Sequence, residues 1–233
     1  MPRTRRFIPQ GGALHVMCRG NNKQVVFNCD SDKLRYYSLM QELKAENYIS
    51  ILHYCLMNNH VHLVFLLNSL SRISRFMQQL NLKYFVYYKN VYGYVGHLFQ
   101  GRFKSKIIET SQYLMQCGKY VELNPVRGGL VRFPQEYKFS SYSYYAKGKP
   151  DSLLTDDPLY LELSDSAMLR RIRYGDFVVD SNIMKGKDPF IGSKAFVDRL
   201  KEECGLNAKR ARGRPKKIGD RSHLSRQAIP SQK

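Results

Sequence analysis

The chain has no tryptophan, and its 233 residues carry half as many acids as bases, 19 Asp and Glu against 38 Lys and Arg. The formal net charge is therefore +19. An excess of this size implies a polyanionic partner, nucleic acid first and an acidic membrane surface second, and says nothing about fold. Long apolar runs are also missing. No stretch approaches the ~20 residues of a spanning helix, so no membrane partner is expected. The N-terminal MPRTRRFIPQ carries arginines but no apolar segment after them, which excludes a secretory signal of the usual form. Cysteine is sparse: Cys18, Cys29, Cys55, Cys117 and Cys204 are odd in number, widely spaced and include no C-x-x-C pair. That pattern argues against a zinc ribbon or finger and fits scattered small hydrophobes in a reducing cytoplasm.

What the chain does have is a hydrophobic fraction of 43%, enough for a proper core, with 17 Tyr and 12 Phe. Cations for phosphates and ring faces for unstacked bases are the two tools for holding single strands, although most of these rings are also what a core requires. Residues 13–19, ALHVMCR, read as a strand. Asp30 or Ser31 is placed to cap a helix in which Leu34, Tyr37, Leu39, Met40 and Leu43 recur at helical spacing, fading near Asn47. Two β-rich runs, 49–57 and 60–67, flank Asn58-Asn59 and predict a hairpin, on the ground that Asn tolerates positive φ. A second helix is expected over 71–92, with Ile73, Phe76, Met77, Leu80, Tyr84 and Tyr88 as its stripe. Residues 104–109 read as a strand, and Thr110 or Ser111 should cap a third helix that Pro125 ends. Strand, helix, strand, strand, helix, strand is the α+β, ferredoxin-like split βαββαβ order: an antiparallel sheet with helices on one face, plus one added helix. Beyond Arg132 the chain turns polar, with helical segments over 157–173 and 193–204. Its end, from Lys209 to Lys233, holds nine Lys or Arg, one acid and the run RGRPKK, a composition that predicts a disordered basic tail.

HVHLVF (60–65) is the most informative strand. Side chains alternate, so Val61, Leu63 and Phe65 share a core face and His60, His62 and Val64 share the other. Two neutral imidazoles ~6–7 Å apart by backbone rise can reach one borderline metal ion. H-x-H alone is equally the exposed face of a half-buried strand. In the helix SQYLMQCGKYVELNPVRGG (111–129), Tyr120 and Asn124 lie four apart, hence on one face. Asn124 offers an oxygen ligand, and a phenol beside the same ion suits phosphoryl chemistry, because a metal polarises the scissile phosphate that a phenol of pKa about 10 attacks poorly. Tyr113 is the rival nucleophile, on nearly the same face but two turns from Asn124. A helical Tyr is more often packing, and Asn before Pro more often a helix stop.

Several motifs occur in a specific order: CRGNNKQVVF (18–27), YCLMNNHVHLVF (54–65), GHLFQGRFKSKIIE (96–109), YVELNPVRGGLV (120–131) and YKFSSYSYY (137–145). Together they resemble the REP-associated tyrosine transposases, IS200-like members of the HUH single-strand transposases with a single catalytic tyrosine. The likeness covers residues 10–147. It departs at Asn58, where the family often has Pro, and at Gly128-Gly129, where Arg-Ala-Gly is common. The resemblance implies His60, His62 and Asn124 as metal ligands, Mg²⁺ or Mn²⁺ as cofactor and Tyr120 as nucleophile. It also implies cleavage and rejoining of single-stranded DNA beside REP-like hairpins through a 5′-phosphotyrosine, by a monomer or homodimer in the cytoplasm, associated with the nucleoid. The expected division is a catalytic domain over 1–147, a small, partly helical accessory region over 148–205, and a basic tail over 206–233. Arg19, Lys23, Arg102, Lys104, Lys106 and Arg127 are the candidate DNA contacts, each of which is also readable as a solvated surface charge. Two alternatives stand beside this reading: a non-catalytic RRM-like nucleic-acid binder, and a metal-dependent nuclease using water.

Overall fold

The computed structural model describes residues 8–9, 11–109, 112–180 and 190–203. The expected caps Thr110 and Ser111, Cys204 and the basic tail lie outside them. Strand β1 (Gly12–Arg19) is followed by α1 (Asp30–Glu46), the hairpin β2 (Ser50–Met57) and β3 (His60–Leu67), α2 (Ile73–Tyr92), β4 (Lys104–Ile108) and α3 (Gln112–Glu122). The sheet order is β2-β3-β1-β4, antiparallel throughout, which is the ferredoxin-like arrangement. A two-residue strand, β5 (Phe190–Ile191), adds in parallel to β4, too short for sequence patterning to signal.

Alternation divides the sheet as the apolar pattern requires. Leu14, Val16, Leu63 and Phe65 lie on one face, where Phe65 meets Phe76 of α2 at 5.9 Å and Tyr54 meets Tyr37 of α1 at 6.0 Å. All six apolar residues expected on α2 are buried. The third helix lies on the opposite face, over β2, β3 and β4.

Four local expectations are corrected. Neither Asn58 nor Asn59 has positive φ; among the described non-glycine residues only Asn22, Lys23 and Tyr48 do. The hairpin turn is instead tied from outside: the Asn58 carbonyl accepts from Val26 and Phe27 amides (2.8 and 3.0 Å), and the Asn59 carbonyl from that of Gly20 (2.9 Å). Helix α1 is capped from Cys29, because the Asp32 carboxylate reaches back to the Asn28 and Cys29 amides (2.7 and 3.3 Å). Pro125 does not close the helical path. It opens a further turn, α4 (Asn124–Arg127), since proline fits the first turn of a helix, where its missing N–H is no loss. The segment expected as one helix over 157–173 forms two, α6 (Pro158–Glu162) and α7 (Ala167–Val179), the second started by Ser166, whose hydroxyl accepts from the Leu169 amide. Before them comes α5 (Tyr142–Lys147), and α8 (Lys194–Glu203) ends the described chain.

After α4 the backbone turns along the outer edge of β2. The Leu56 amide donates to the Phe139 carbonyl (2.9 Å), the Ser141 amide to Tyr54 (3.0 Å) and the Thr155 amide to Ile51 (2.8 Å). A second apolar cluster forms there from Met115 of α3 and Leu123 just beyond it, with Tyr142, Tyr145, Tyr160, Tyr174 and Val178. Between it and the sheet, the buried His53 ring hydrogen-bonds Glu122 through Nδ1 (3.1 Å) and Asp157 through Nε2 (3.0 Å). Burial alone would lower its pKa, but the two carboxylates raise it to about 9 from an ordinary 6.5.

This shift fixes a sign. The folded chain holds the His53 proton more tightly than the unfolded chain, so its stabilisation is complete below pH 6.5 and is lost as pH rises through about 9. Urea midpoints should therefore fall between pH 6.5 and about 9, by a free energy on the order of 3 kcal/mol. A His53→Asn chain should lose that slope, and an unchanged slope in the variant would reject the assignment.

Candidate functional site

Because the apolar residues of β3 face α1 and α2, His60 and His62 point toward α3. Their ring centroids are 4.9 Å apart and nearly perpendicular. Antiparallel register brings a third imidazole to them. The His15 and His62 rings stack, 5.1 Å apart at 14°, with His15 Nε2 2.8 Å from His62 Nδ1. His15 was not among the residues expected at the site, although its position in LHVMC, with apolar residues on both sides, carries the alternation signal that marked His62.

Each pair member uses the same ring atom for support. His62 Nδ1 faces His15, and His60 Nδ1 lies 2.6 Å from Asn59 Oδ1. With both Nδ1 atoms protonated and donating, each Nε2 lone pair is left for a ligand. Burial, helped by the Arg19 charge, pushes the His60 pKa down to about 4. Burial and then Lys106 do the same for His15, again to about 4. Burial first, then the neighbouring histidines, Arg127 and Arg19, hold His62 well below the usual range. Neutral imidazoles are the form that binds metal.

Helix α3 delivers Tyr120 to this cluster. Its ring stands edge-on to His62 at 5.8 Å and to His15 at 6.0 Å. The Arg127 guanidinium sits over the Tyr120 ring, 5.1 Å from its centroid. Both α3 tyrosines weighed as nucleophile pack on the main core, and Tyr120 is the one whose ring meets His15 and His62. Asn124, one turn beyond, donates its Nδ2 to the Tyr120 and Val121 carbonyls (2.8 and 3.3 Å), which turns its amide and leaves Oδ1 as the atom available to a cation. Among the described residues no three His, Cys, Asp or Glu side chains form a metal-binding group. Two imidazole nitrogens and an amide oxygen, brought together, would suit a hard to borderline divalent ion.

The basic residues divide. Arg19, opposite His60 in the β1–β3 register, and Arg127 act electrostatically on the histidines. Lys104 and Lys106 lie opposite Met17 and His15, so they belong to the same face of the sheet. Lys23 is exposed beside the hairpin turn, where its carbonyl accepts from Asn59 Nδ2 (3.2 Å). Arg102 is exposed just before β4.

Residues 10–124 match the family described as "Transposase IS200 like". The chain belongs to the IS200-like transposase family. Membership gives it a transposase role, with DNA as the molecule acted on. A solved structure described as a REP-associated tyrosine transposase bound to a REP hairpin superposes with a TM-score of 0.54. It is 17% identical, over 68% of this chain and 93% of that one, a likeness of fold. A crystal structure from Deinococcus radiodurans R1, provisionally described as a transposase, is 15% identical over 52% of this chain and 96% of its own, and its TM-score of 0.37 adds nothing to the argument. Among curated proteins none matches in sequence. Among the described residues of this IS200-like chain, no helix is long and apolar enough to cross a membrane.

In the metal-free protein, the side-chain nitrogen resonances of His15, His60 and His62 should show no titration between about pH 8 and about pH 5. His62 should show the tautomer protonated at Nδ1. A midpoint near 6.5 for any of the three rings would contradict the burial and charge pattern that sets their pKa values.

Proposed function

We propose that this IS200-like chain cuts and rejoins single-stranded DNA next to a hairpin, with Tyr120 as nucleophile and His60, His62 and Asn124 as ligands of Mg²⁺ or Mn²⁺. The observation that carries the reading is the placement of the Tyr120 ring against the supported imidazoles. A bound divalent ion supplies charge to polarise the scissile phosphate and fix its orientation.

The chain's own residues supply the rest. His15 and Asn59 hold the two ligand rings in one tautomer and orientation, which keeps both Nε2 atoms aimed. The Tyr120 oxygen attacks phosphorus in line and its proton passes to solvent. The bond to the 3′ oxygen breaks, and that oxygen takes up a proton. The product is a 5′-phosphotyrosine and a free 3′-hydroxyl. One phosphodiester is exchanged for another, so the reverse attack by a second 3′-hydroxyl rejoins the strand without ATP. Arg127, over the phenol ring, and Arg19, beside His60, are placed to neutralise phosphate charge where it develops. Lys23, Arg102, Lys104 and Lys106 extend the positive surface along the strand, and the +19 balance makes binding strongly salt-dependent. In this reading the chain works on cytoplasmic DNA.

The RRM-like alternative needs a sheet face open for base stacking. Here α1 and α2 cover one face and α3 lies over the other, which disfavours it. Water as nucleophile is separated by the adduct itself.

Tyr120→Phe should abolish the covalent protein–DNA adduct on a labelled single-stranded hairpin while hairpin binding persists; an adduct that survives would sink the nucleophile assignment. His60→Ala and His62→Ala should each slow Mn²⁺-dependent cleavage by on the order of 100-fold or more with the fold intact. Undiminished cleavage in both would remove them as ligands, and cleavage without any adduct would favour water.

A further inference from the structure

We infer that Glu122, His53, Asp157 and Tyr174 are positioning residues: a buried hydrogen-bonded brace through which the chain after Tyr137 fixes the end of α3 that carries Tyr120, and with it the following turn that carries Asn124. The inference rests on the functional reading above and assigns a role to the chain beyond the catalytic sheet.

Glu122 lies between the proposed nucleophile and the proposed amide ligand, two residues from each, and is fully buried. Its carboxylate accepts from three separate elements: His53 Nδ1 on β2 (3.1 Å), Ser141 Oγ before α5 (2.6 Å) and the Tyr174 hydroxyl on α7 (2.9 Å). His53 carries the connection on to Asp157 Oδ2 (3.0 Å), and Asp157 caps α6 by accepting from the Leu159 amide (2.9 Å). Four elements, β2, α5, α6 and α7, are therefore tied to one turn of α3.

Two backbone features show that the arrangement is built. A register shift between Ile51 and His53 inserts an extra residue in β2. Without it His53 would pair with Leu63 and face α1 and α2; with it His53 pairs with Val64 and faces α3. Gly118, one turn before Glu122, then admits the ring: a Cβ there would lie 2.6 Å from His53 Cε1 and Nε2. The imidazole lies flat against the helix where the helix has no side chain. Tyr145, 4.7 Å away, covers the ring from the side of α5.

A phenol in line with a phosphate tolerates little displacement; misplacement by about 1 Å costs on the order of 100-fold in rate. The helix bearing Tyr120 is short and is followed after Leu123 by the single turn of α4. Its own packing is supplemented at that end by the brace, in which two of the three groups bonded to Glu122, those of His53 and Tyr174, are carried on rigid rings.

The test uses the full chain. Tyr174→Phe removes one hydroxyl and keeps the ring; Asp157→Asn keeps the shape and removes the charge. Tyr36→Phe is the matched control, since its buried hydroxyl bonds Asn81 (3.2 Å) between α1 and α2, away from α3. Amide exchange of the metal-free proteins and the rate of adduct formation at saturating hairpin are both read. Expected is faster exchange confined to α3 in Tyr174→Phe and Asp157→Asn, by about tenfold or more. Their adduct formation should slow by on the order of 10- to 100-fold at unchanged hairpin affinity. The control should lower thermal stability without slowing the adduct. Unchanged α3 exchange in both variants overturns the brace, and looser exchange with an unchanged adduct rate overturns its positioning role. A wild-type chain that forms no adduct overturns the functional reading instead, and exchange alone then decides whether the brace exists.

Discussion

A β-strand presents alternate side chains to opposite faces, and in β3 that constraint settles everything else. Val61, Leu63 and Phe65 are committed to the core under α1 and α2. His60 and His62 have nowhere to point but toward α3. Register with β1 then sets His15 against His62, and the turn at Asn59 supports His60. A one-residue slip of β3 would reverse both faces at once, turning two imidazoles into the core under α1 and α2 and three large apolar residues toward α3. The hydrogen bonds from Gly20, Val26 and Phe27 to the hairpin turn hold that register at its tip.

Much of this was legible because it follows from periodicity. The stripe on α2, the alternation in β3 and the order of elements are repeated signals, each supported by several residues. What was not legible depends on single contacts between distant parts of the chain. The Asn58-Asn59 turn reads as a positive-φ pair, yet its conformation comes from the loop that bonds it. Asp30 reads as a cap, yet Asp32 takes that work two residues later, because its carboxylate is also drawn to Tyr87 and Tyr92. The bulge that redirects His53 leaves no composition signal at all. Pairing Tyr120 with the histidines needed the resemblance: spacing alone placed Tyr120 beside Asn124, and only the sheet joins that helix to β3.

The electrostatics separate into two regimes. Outside, an unbalanced positive surface suits a polyanion and is screened by salt. Inside, burial strips charge from three histidines while two carboxylates keep it on a fourth. The same residue type is therefore neutral at one place facing α3 and a structural cation at another, and the difference is the presence of buried acids.

The edge of β2 carries a further meaning. Its outward-facing backbone groups are taken up by residues 139–141 and 155, and the Tyr145 and Tyr137 hydroxyls donate to the Leu52 and Leu56 carbonyls. An exposed strand edge is a template on which another chain can add a strand. Here that template has been consumed by the protein itself. Association of two copies, or capture of an extended peptide, has to proceed through side-chain surfaces at this end of the sheet, because no row of free backbone donors and acceptors remains there to be extended.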